Sequence, residues 1–298
     1  MRKQRLDTLL AERGLFPSRT RAAASVMAGE VCVGPERRRA QKPGELVAPD
    51  ATVSVAERAR FVSRGGIKLA NALAGTGVAV TGRRVLDVGA STGGFTDCLL
   101  QHGAAEVLAI DVGYGELAYA LRTDPRVRTL ERTNARGLTP EIVIRAFAKV
   151  NADPITADEH DGPAPQASPR AAPADLAVID VSFISLCKVL PAVLDCLADS
   201  CEVLALVKPQ FEVGRGRVGR GGVVRDPADR RSALIAVGLA ACELGTAVRG
   251  FCSSGLPGPK GNRETFVWLA RESATEMRGD GASTAVADIE RMAREVEP

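Results

Sequence analysis

The run Arg84-Val85-Leu86-Asp87-Val88-Gly89-Ala90-Ser91-Thr92-Gly93-Gly94-Phe95-Thr96 limits the possible folds more than any other stretch: a buried strand breaks into a glycine-rich turn that opens a helix. Val85, Leu86 and Val88 supply the apolar strand, and Gly89 permits the sharp turn. Gly93 and Gly94 let backbone and ligand approach where a side chain would collide. Roughly 20 residues on, the strand Val107-Leu108-Ala109-Ile110 ends at Asp111, whose carboxylate can accept hydrogen bonds from ribose hydroxyls. Together the two pieces read as a cradle for a nucleotide-type cofactor rather than as a tight strand-to-helix turn that binds nothing.

The turn is not the dinucleotide fingerprint, because Ser91 stands where the second glycine of G-x-G-x-x-G should be and a pyrophosphate would lose its closest backbone approach. Asp87 also places negative charge beside the cradle, which suits a cationic ligand such as the sulfonium and ammonium of S-adenosylmethionine better than a phosphate. The expected cofactor is therefore S-adenosylmethionine, with a nicotinamide dinucleotide as the less fitting alternative.

At 298 residues, 45% hydrophobic and 25% charged, the chain has room for one large domain or two modest ones with a substantial core. No apolar run approaches the roughly 20 residues that span a bilayer, and Met1-Arg2-Lys3-Gln4-Arg5 leads into an amphipathic helix, so a cytoplasmic protein with no membrane partner is expected. Seven cysteines without a C-x-x-C pair argue against both a disulfide framework and a zinc site, and no metal is expected. The net charge of +3 hides an asymmetry: residues 1–64 carry 13 Lys+Arg against 7 Asp+Glu, and the remainder 26 against 29. The basic part is the N-terminal one, which favours a phosphate-backbone partner there.

Leu6, Leu9 and Leu10 share a helical face, and a second helix starts after Pro17 with Ser18 as N-cap and ends near Gly29. Val31-Cys32-Val33 and Val53-Ser54-Val55 read as short strands around an arginine-rich loop. Arg5-Leu6-Asp7, Ser18-Arg19, Gly29-Glu30-Val31-Cys32-Val33 and Lys42-Pro43-Gly44 stand in the order that resembles the S-four-type RNA-binding domain, over roughly residues 3–56. The resemblance implies RNA contacts from Arg5, Ser18 and Arg19. Beyond it, strand candidates at Val85–Val88, Val107–Ile110, Val127–Leu130, Leu176–Ile179 and Val203–Val207 alternate with helical segments. That alternation is the mark of an open, mostly parallel α/β sheet. The expected boundaries are an RNA-binding domain at 1–57, a linker at 58–64, an α/β domain at 65–275 and a C-terminal tail or helix at 276–298. Residues 151–175, with five prolines and almost no large apolar residue, read as a disordered insertion.

Four ionisable residues stand out by position. Lys68 precedes the cradle, Asp180 and Lys208 follow predicted strands, and Glu264 sits in Gly261-Asn262-Arg263-Glu264 before another apolar run. Ligands of open α/β sheets bind outside the carboxyl ends of the strands, so Asp180 and Lys208 should converge on the edge carrying Gly89 and Asp111.

From Arg58 to Trp268 the chain resembles the TlyA family, once called hemolysin A, whose catalytic domain is similar to the FtsJ-type ribose methyltransferases. The matching segments are Ser63-Arg64-Gly65-Gly66-Ile67-Lys68-Leu69, Asp87 to Thr96, Asp111-Val112-Gly113-Tyr114-Gly115 and Thr133-Asn134-Ala135-Arg136, followed by Asp180-Val181-Ser182-Phe183-Ile184-Ser185, Val207-Lys208-Pro209-Gln210-Phe211-Glu212 and Gly261-Asn262-Arg263-Glu264. The resemblance implies a Rossmann-like class I methyltransferase sheet and methyl transfer to a cytidine ribose of 16S ribosomal RNA, 23S ribosomal RNA or both, in ribosomal subunits. It implies a catalytic tetrad of Lys68, Asp180, Lys208 and Glu264. It also implies cofactor contacts from Asp87, Gly89, Ala90, Ser91, Thr92, Gly93, Gly94, Phe95, Asp111 and Asn134.

The tetrad suits a ribose hydroxyl, a weak nucleophile at neutral pH whose proton something must take. A second cation and partial burial depress a lysine's pKa, so Lys208 is expected as base, with Lys68 and Asp180 fixing it and Glu264 orienting the ribose or Lys68. The loop 213–226 interleaves five glycines with Arg215, Arg217, Arg220 and Arg225 and is expected to move over substrate. Arg215 and Arg217 there, with Arg64, Arg132 and Arg136, are candidate phosphate contacts. Three other readings are weaker. A base methyltransferase would favour an Asn/Asp-Pro-Pro-aromatic motif or a catalytic cysteine that the Asp180 segment lacks, a cytolysin needs a membrane-insertion segment that is missing, and a binding-only protein sits poorly with an intact tetrad.

Overall fold

The structure, a computed structural model, describes residues 3–55, 60–148, 174–272 and 284–297. It divides into two compact units, Met1–Arg60 and Phe61–Pro298. Most of the expected 151–175 insertion, residues 58 and 59 of the expected linker, and residues 276–283 of the expected tail lie outside the described residues.

In the first unit, among the described residues, helices Leu6–Glu12 and Arg19–Met27 pack on a three-stranded antiparallel sheet of Arg38–Arg39, Val31–Val33 and Val53–Val55. Leu6, Leu9, Leu10, Ala22, Val26 and Val31 form its core. The second helix starts where Ser18 Oγ accepts a hydrogen bond from the Arg21 backbone N–H at 3.2 Å, as its N-cap position requires. The strand Arg38–Arg39 and the two-residue pair Gln4–Arg5 with Leu46–Val47 were not anticipated. Strands of two residues carry no alternation to read.

The second unit is a three-layer α/β fold. Seven strands, among the described residues, form one sheet: β1 (Arg84–Val88), β2 (Glu106–Ile110), β3 (Val127–Leu130), β4 (Ala174–Ile179), β5 (Leu197–Val207), β6 (Ala247–Ser253) and β7 (Thr265–Arg271). Their order is β6-β7-β5-β4-β1-β2-β3, with β5 to β3 parallel; β7 runs antiparallel to both its neighbours, so β6 points the same way as the parallel set. This agrees with the expected Rossmann-like methyltransferase sheet. The connections diverge between β1 and β4, and a crevice for ligand opens at such a reversal, outside the carboxyl ends of the strands.

Strands buried on both faces explain the apolar runs. On one face Val85, Val178, Leu206 and Phe266 pack against α1 (Arg64–Thr76) and α2 (Gly94–Gln101), through Leu69, Ala72, Phe95 and Leu99. On the other, Leu86, Ile179, Val207 and Val267 meet α3 (Pro140–Ala148), α4 (Leu190–Asp195), α5 (Pro227–Glu243) and α6 (Val286–Val296).

Three boundaries differ from the sequence reading. Ala174 and Asp175, assigned to the insertion, begin β4, and Asp175 is held by Arg83 at 3.0 Å. Strand β5 starts at Leu197, with a register shift between Leu197 and Glu202 that hides its first half from a periodicity search. Strand β6, whose Arg249 and Gly250 interrupt the apolar pattern, was missed. Phe266 is fully buried with its ring centroid 5.8 Å from that of Phe95. Phe266→Ala should therefore lower unfolding stability by about 3–5 kcal/mol, read as a fall in denaturant midpoint at unchanged m.

Candidate active site

Period-2 alternation places four carboxylate or ammonium groups on one face of the sheet. Asp87 shares its strand face with Val85, Asp180 with Val178, Lys208 with Leu206 and Glu264 with Phe266, all residues that pack against α1 and α2. Lys68 comes to the same face from α1 and is 7% exposed. The segment before α1 is tied down where the Val62 N–H donates to Asp97 Oδ2 at 2.8 Å.

Two ion pairs result. Lys68 Nζ is bonded to Glu264 Oε2, with both side chains buried. Lys208 Nζ lies 2.5 Å from Asp180 Oδ1 and donates to Ser182 Oγ at 2.9 Å. The antiparallel ladder of β5 and β7 links the pairs: Val207 is opposite Thr265, so continuing the register by one residue sets Lys208 opposite Glu264. Lys208 is extended, at φ −109° and ψ 101°, as that continuation needs. Asp180 holds Lys208, and Glu264 holds Lys68. Ser182 is a partner that the sequence reading did not single out.

Beside them lies the cradle. Gly89 has φ +90°, and a Cβ there would come within 2.5 Å of the Asp180 backbone oxygen, so only glycine lets β1 and β4 approach so closely. The Asp180 N–H donates to the Val88 carbonyl at 2.9 Å, fixing that approach. Asp111 accepts from the Ser91 N–H (2.8 Å, Oδ2) and the Gly113 N–H (2.7 Å, Oδ1), and each oxygen keeps acceptor capacity for a further bond. Asn134 Oδ1 accepts from the Arg136 N–H at 3.1 Å, shaping the next turn. A cavity of about 380 Å³ opens here, lined by Gly89, Ser91, Asp111, Asn134, Asp180 and Phe183 among others. The volume suits a small-molecule ligand. Ala90, Gly93, Gly94 and Phe95 are buried beneath the cradle rather than exposed to the cavity, and Thr92 is exposed.

Asp87 is fully buried. Thr96 Oγ1 donates to its Oδ2 at 2.6 Å, while Oδ1 has no hydrogen-bond partner. Burial pushes its carboxyl up to about 7, the Thr96 bond opposes that, and the charges of Asp180 and Asp111 add to it. An orphaned buried carboxylate oxygen beside a glycine cradle fits a ligand that carries positive charge.

A second cavity of about 700 Å³ shares Phe183 and Ile184 with the first, and is also lined by Arg136, Lys188, Gln210 and Phe211. Phe183 is 92% exposed at φ +64°, a conformation rare for a bulky residue, and its ring stands 5.3 Å from that of Phe211. No periodicity could have flagged Phe183, which follows Asp-Val-Ser in a loop.

The other arginines are placed variously. Arg64 is exposed in the first turn of α1. Arg132, exposed at φ +53°, lies over the Tyr114 ring at 4.2 Å. Arg215 opens a short 3-10 turn. Arg217 is partly committed, donating to the Val213 carbonyl at 2.8 Å and facing Asp229 at 3.4 Å. In the first unit Arg5 and Arg19 share the buried Asp7 at 2.7 and 3.3 Å, and chiefly the Arg5 bonds hold that carboxyl down at about 2. Among the described residues, no group of three or more His, Cys, Asp or Glu is placed to hold a metal ion, and no helix is long and apolar enough to cross a membrane.

The FtsJ-like methyltransferase family matches residues 61–271, and the S4 domain family residues 4–53. The chain is 46% identical, over 96% of each sequence, to the 16S/23S rRNA (cytidine-2′-O)-methyltransferase TlyA of Mycobacterium tuberculosis. It is 31% identical, over 71% of each, to the 23S rRNA (cytidine-2′-O)-methyltransferase TlyA of Campylobacter jejuni. A solved structure from Streptococcus thermophilus, provisionally named a hemolysin, is 36% identical with a TM-score of 0.63, covering 99% of this chain and 98% of that one.

Because the raised Asp87 carboxyl keeps its proton only in the folded state, its contribution to stability is full below about pH 4 and is lost as pH rises through about 7. The thermal midpoint should therefore fall between about pH 5 and pH 8, and Asp87→Asn should flatten that slope.

Proposed function

The chain belongs to the TlyA family of FtsJ-like methyltransferases, and from that membership we propose that it transfers a methyl group from S-adenosylmethionine to the 2′-hydroxyl of a cytidine in ribosomal RNA. The observation that carries the reading is the convergence of two ion pairs, the buried Lys68 with Glu264 and Lys208 with the partly exposed Asp180, on the sheet face and strand ends that form the glycine cradle.

The residues fit the cofactor. Asp87, buried behind the cradle, would act on its positive charge from beneath Gly89, and Asp111 and Asn134, which line the cavity, would receive its ribose. When bound, S-adenosylmethionine supplies an electrophilic methyl on a sulfonium sulfur, and transfer neutralises that charge. The protein's task is then alignment and proton removal. Lys208 Nζ is the group assigned to take the proton of the ribose hydroxyl, with Asp180 beside it to stabilise the ammonium that results. Ser182 fixes the direction of Nζ. Lys68, held by Glu264, places a cation where the nucleophilic oxygen builds up negative charge.

The second cavity receives the nucleotide. Phe183 and Phe211 offer a stacking surface for an unstacked base, and Arg136 and Lys188 lie where phosphates pass. The basic S4 unit, with Arg5, Ser18 and Arg19, docks the surrounding RNA. Both ribosomal subunits are candidate substrates, since one relative's name gives 16S and 23S and the other's 23S alone.

Incubation with radiolabelled S-adenosylmethionine and separate unmethylated small and large subunits tests the proposal. Label at an alkali-resistant ribose is expected, with Lys208→Ala slower by about 10²–10⁴-fold. Label on a base, or label that survives the substitution at full rate, would overturn it.

A further inference from the structure

A charge cluster outside both cavities, built on the buried Glu297 and Arg230, reaches the site from the end of the fold. Glu297, just after α6, is 4% exposed. Its Oε2 accepts from Arg230 Nε at 2.9 Å and from Arg263 at 3.3 Å, and its backbone carbonyl accepts from Arg231 at 3.1 Å.

Arg230, near the start of α5 and 8% exposed, donates in turn to the carbonyls of Arg225 at 2.6 Å and Val224 at 3.5 Å. Asn262, 2% exposed, grips the same strip from another side. Its Oδ1 accepts from the Val224 N–H at 2.9 Å, and its Nδ2 donates to the Gly222 carbonyl at 2.7 Å. Arg263 and Glu264 follow directly in the chain. One carboxylate is thus the shared acceptor of two guanidiniums, one holding the Gly222–Arg225 strip and the other adjoining the partner of Lys68.

We propose that Glu297 is a positioning residue for methyl transfer: through Arg230 and Arg263 it fixes the glycine-arginine strip and the turn that carries Glu264. The inference rests on the reading of Glu264 as part of the tetrad. Without the carboxylate, two guanidiniums would face each other with one of them buried, a state relieved by moving Arg230 away together with the carbonyls it holds. Helix α6 docks independently of this contact, since Ile289 and Ala293 are fully buried in the apolar core. A neutral side chain at 297 should loosen the strip without undocking the helix.

The test uses full-length Glu297→Gln, Glu297→Asp and Ile289→Ala with S-adenosylmethionine and unmethylated ribosomal subunits, read by kcat, cofactor affinity, thermal midpoint and hydrogen exchange. For Glu297→Gln the expected results are cofactor affinity within about twofold of wild type, kcat down about tenfold or more, and faster exchange at the Val224 amide. Glu297→Asp should restore most of kcat. Ile289→Ala should lower the midpoint while leaving kcat intact. A Glu297→Gln protein that loses only thermal stability, or whose Val224 amide exchanges at the wild-type rate, overturns the proposal. A Glu264→Gln protein of full activity would instead remove Glu264 from the tetrad, and the exchange readout would still decide whether Glu297 holds the strip.

Discussion

The antiparallel ladder between β5 and β7 is the constraint on which the site depends. It runs from Cys201 opposite Arg271 to Val207 opposite Thr265, and both strands then leave the sheet together, one with Lys208 and the other with Glu264. A slip of one residue would turn every side chain of a strand to the other face. The register is secured by burial on both faces: Leu204, Leu206 and Phe266 fill one core, and Val203, Ala205, Val207 and Val267 the other. The apolar packing that holds the sheet together thus also sets where two of the four charged groups stand. Asp180 is set in the same way by the parallel pairing of β4 with β1, and Lys68 by the docking of α1.

Burying charge is costly unless it is paired, and here the buried Lys68 and Glu264 pair with each other and the buried Lys208 pairs with the partly exposed Asp180. The arrangement also divides the work. Lys208 stands beside the mouth of the first cavity through Asp180 and Ser182, as the proton acceptor of the proposed mechanism must, whereas Lys68 is enclosed with Glu264, as suits the fixed charge that mechanism assigns to it. Asp87 stands apart as a buried carboxyl with one unpartnered oxygen, a cost to the free protein that a cationic ligand would relieve.

Much of this was legible in the sequence. The apolar runs at Val85–Val88 and Leu176–Ile179 announce buried parallel strands, and the glycine turn at Gly89 announces the crevice, because both signals are local. The pairing of residues was only partly legible: Asp180 was expected to fix Lys208 and Glu264 was a candidate partner of Lys68, but Lys68 was also expected on Lys208. That Asp180 rather than Lys68 holds Lys208 depends on strand register, which adds contacts between residues far apart in the chain. Phe183 gave no signal because its role rests on an unusual backbone angle, and Glu297 gave none because its partners lie in α5 and in the turn before β7. Strand β6 escaped because Arg249 and Gly250 break the apolar run where the strand carries its own register shift.

The central claim is that the two ion pairs act as one unit held by the β5–β7 register, and a double-mutant cycle on single-turnover methyl transfer tests it directly. The variants are Asp180→Asn, Glu264→Gln and the two combined. If the pairs form one site, the double variant should lose little more rate than the slower single one, a coupling of about 1 kcal/mol or more. Rate losses that simply multiply would mean that the pairs work independently, and would contradict the account.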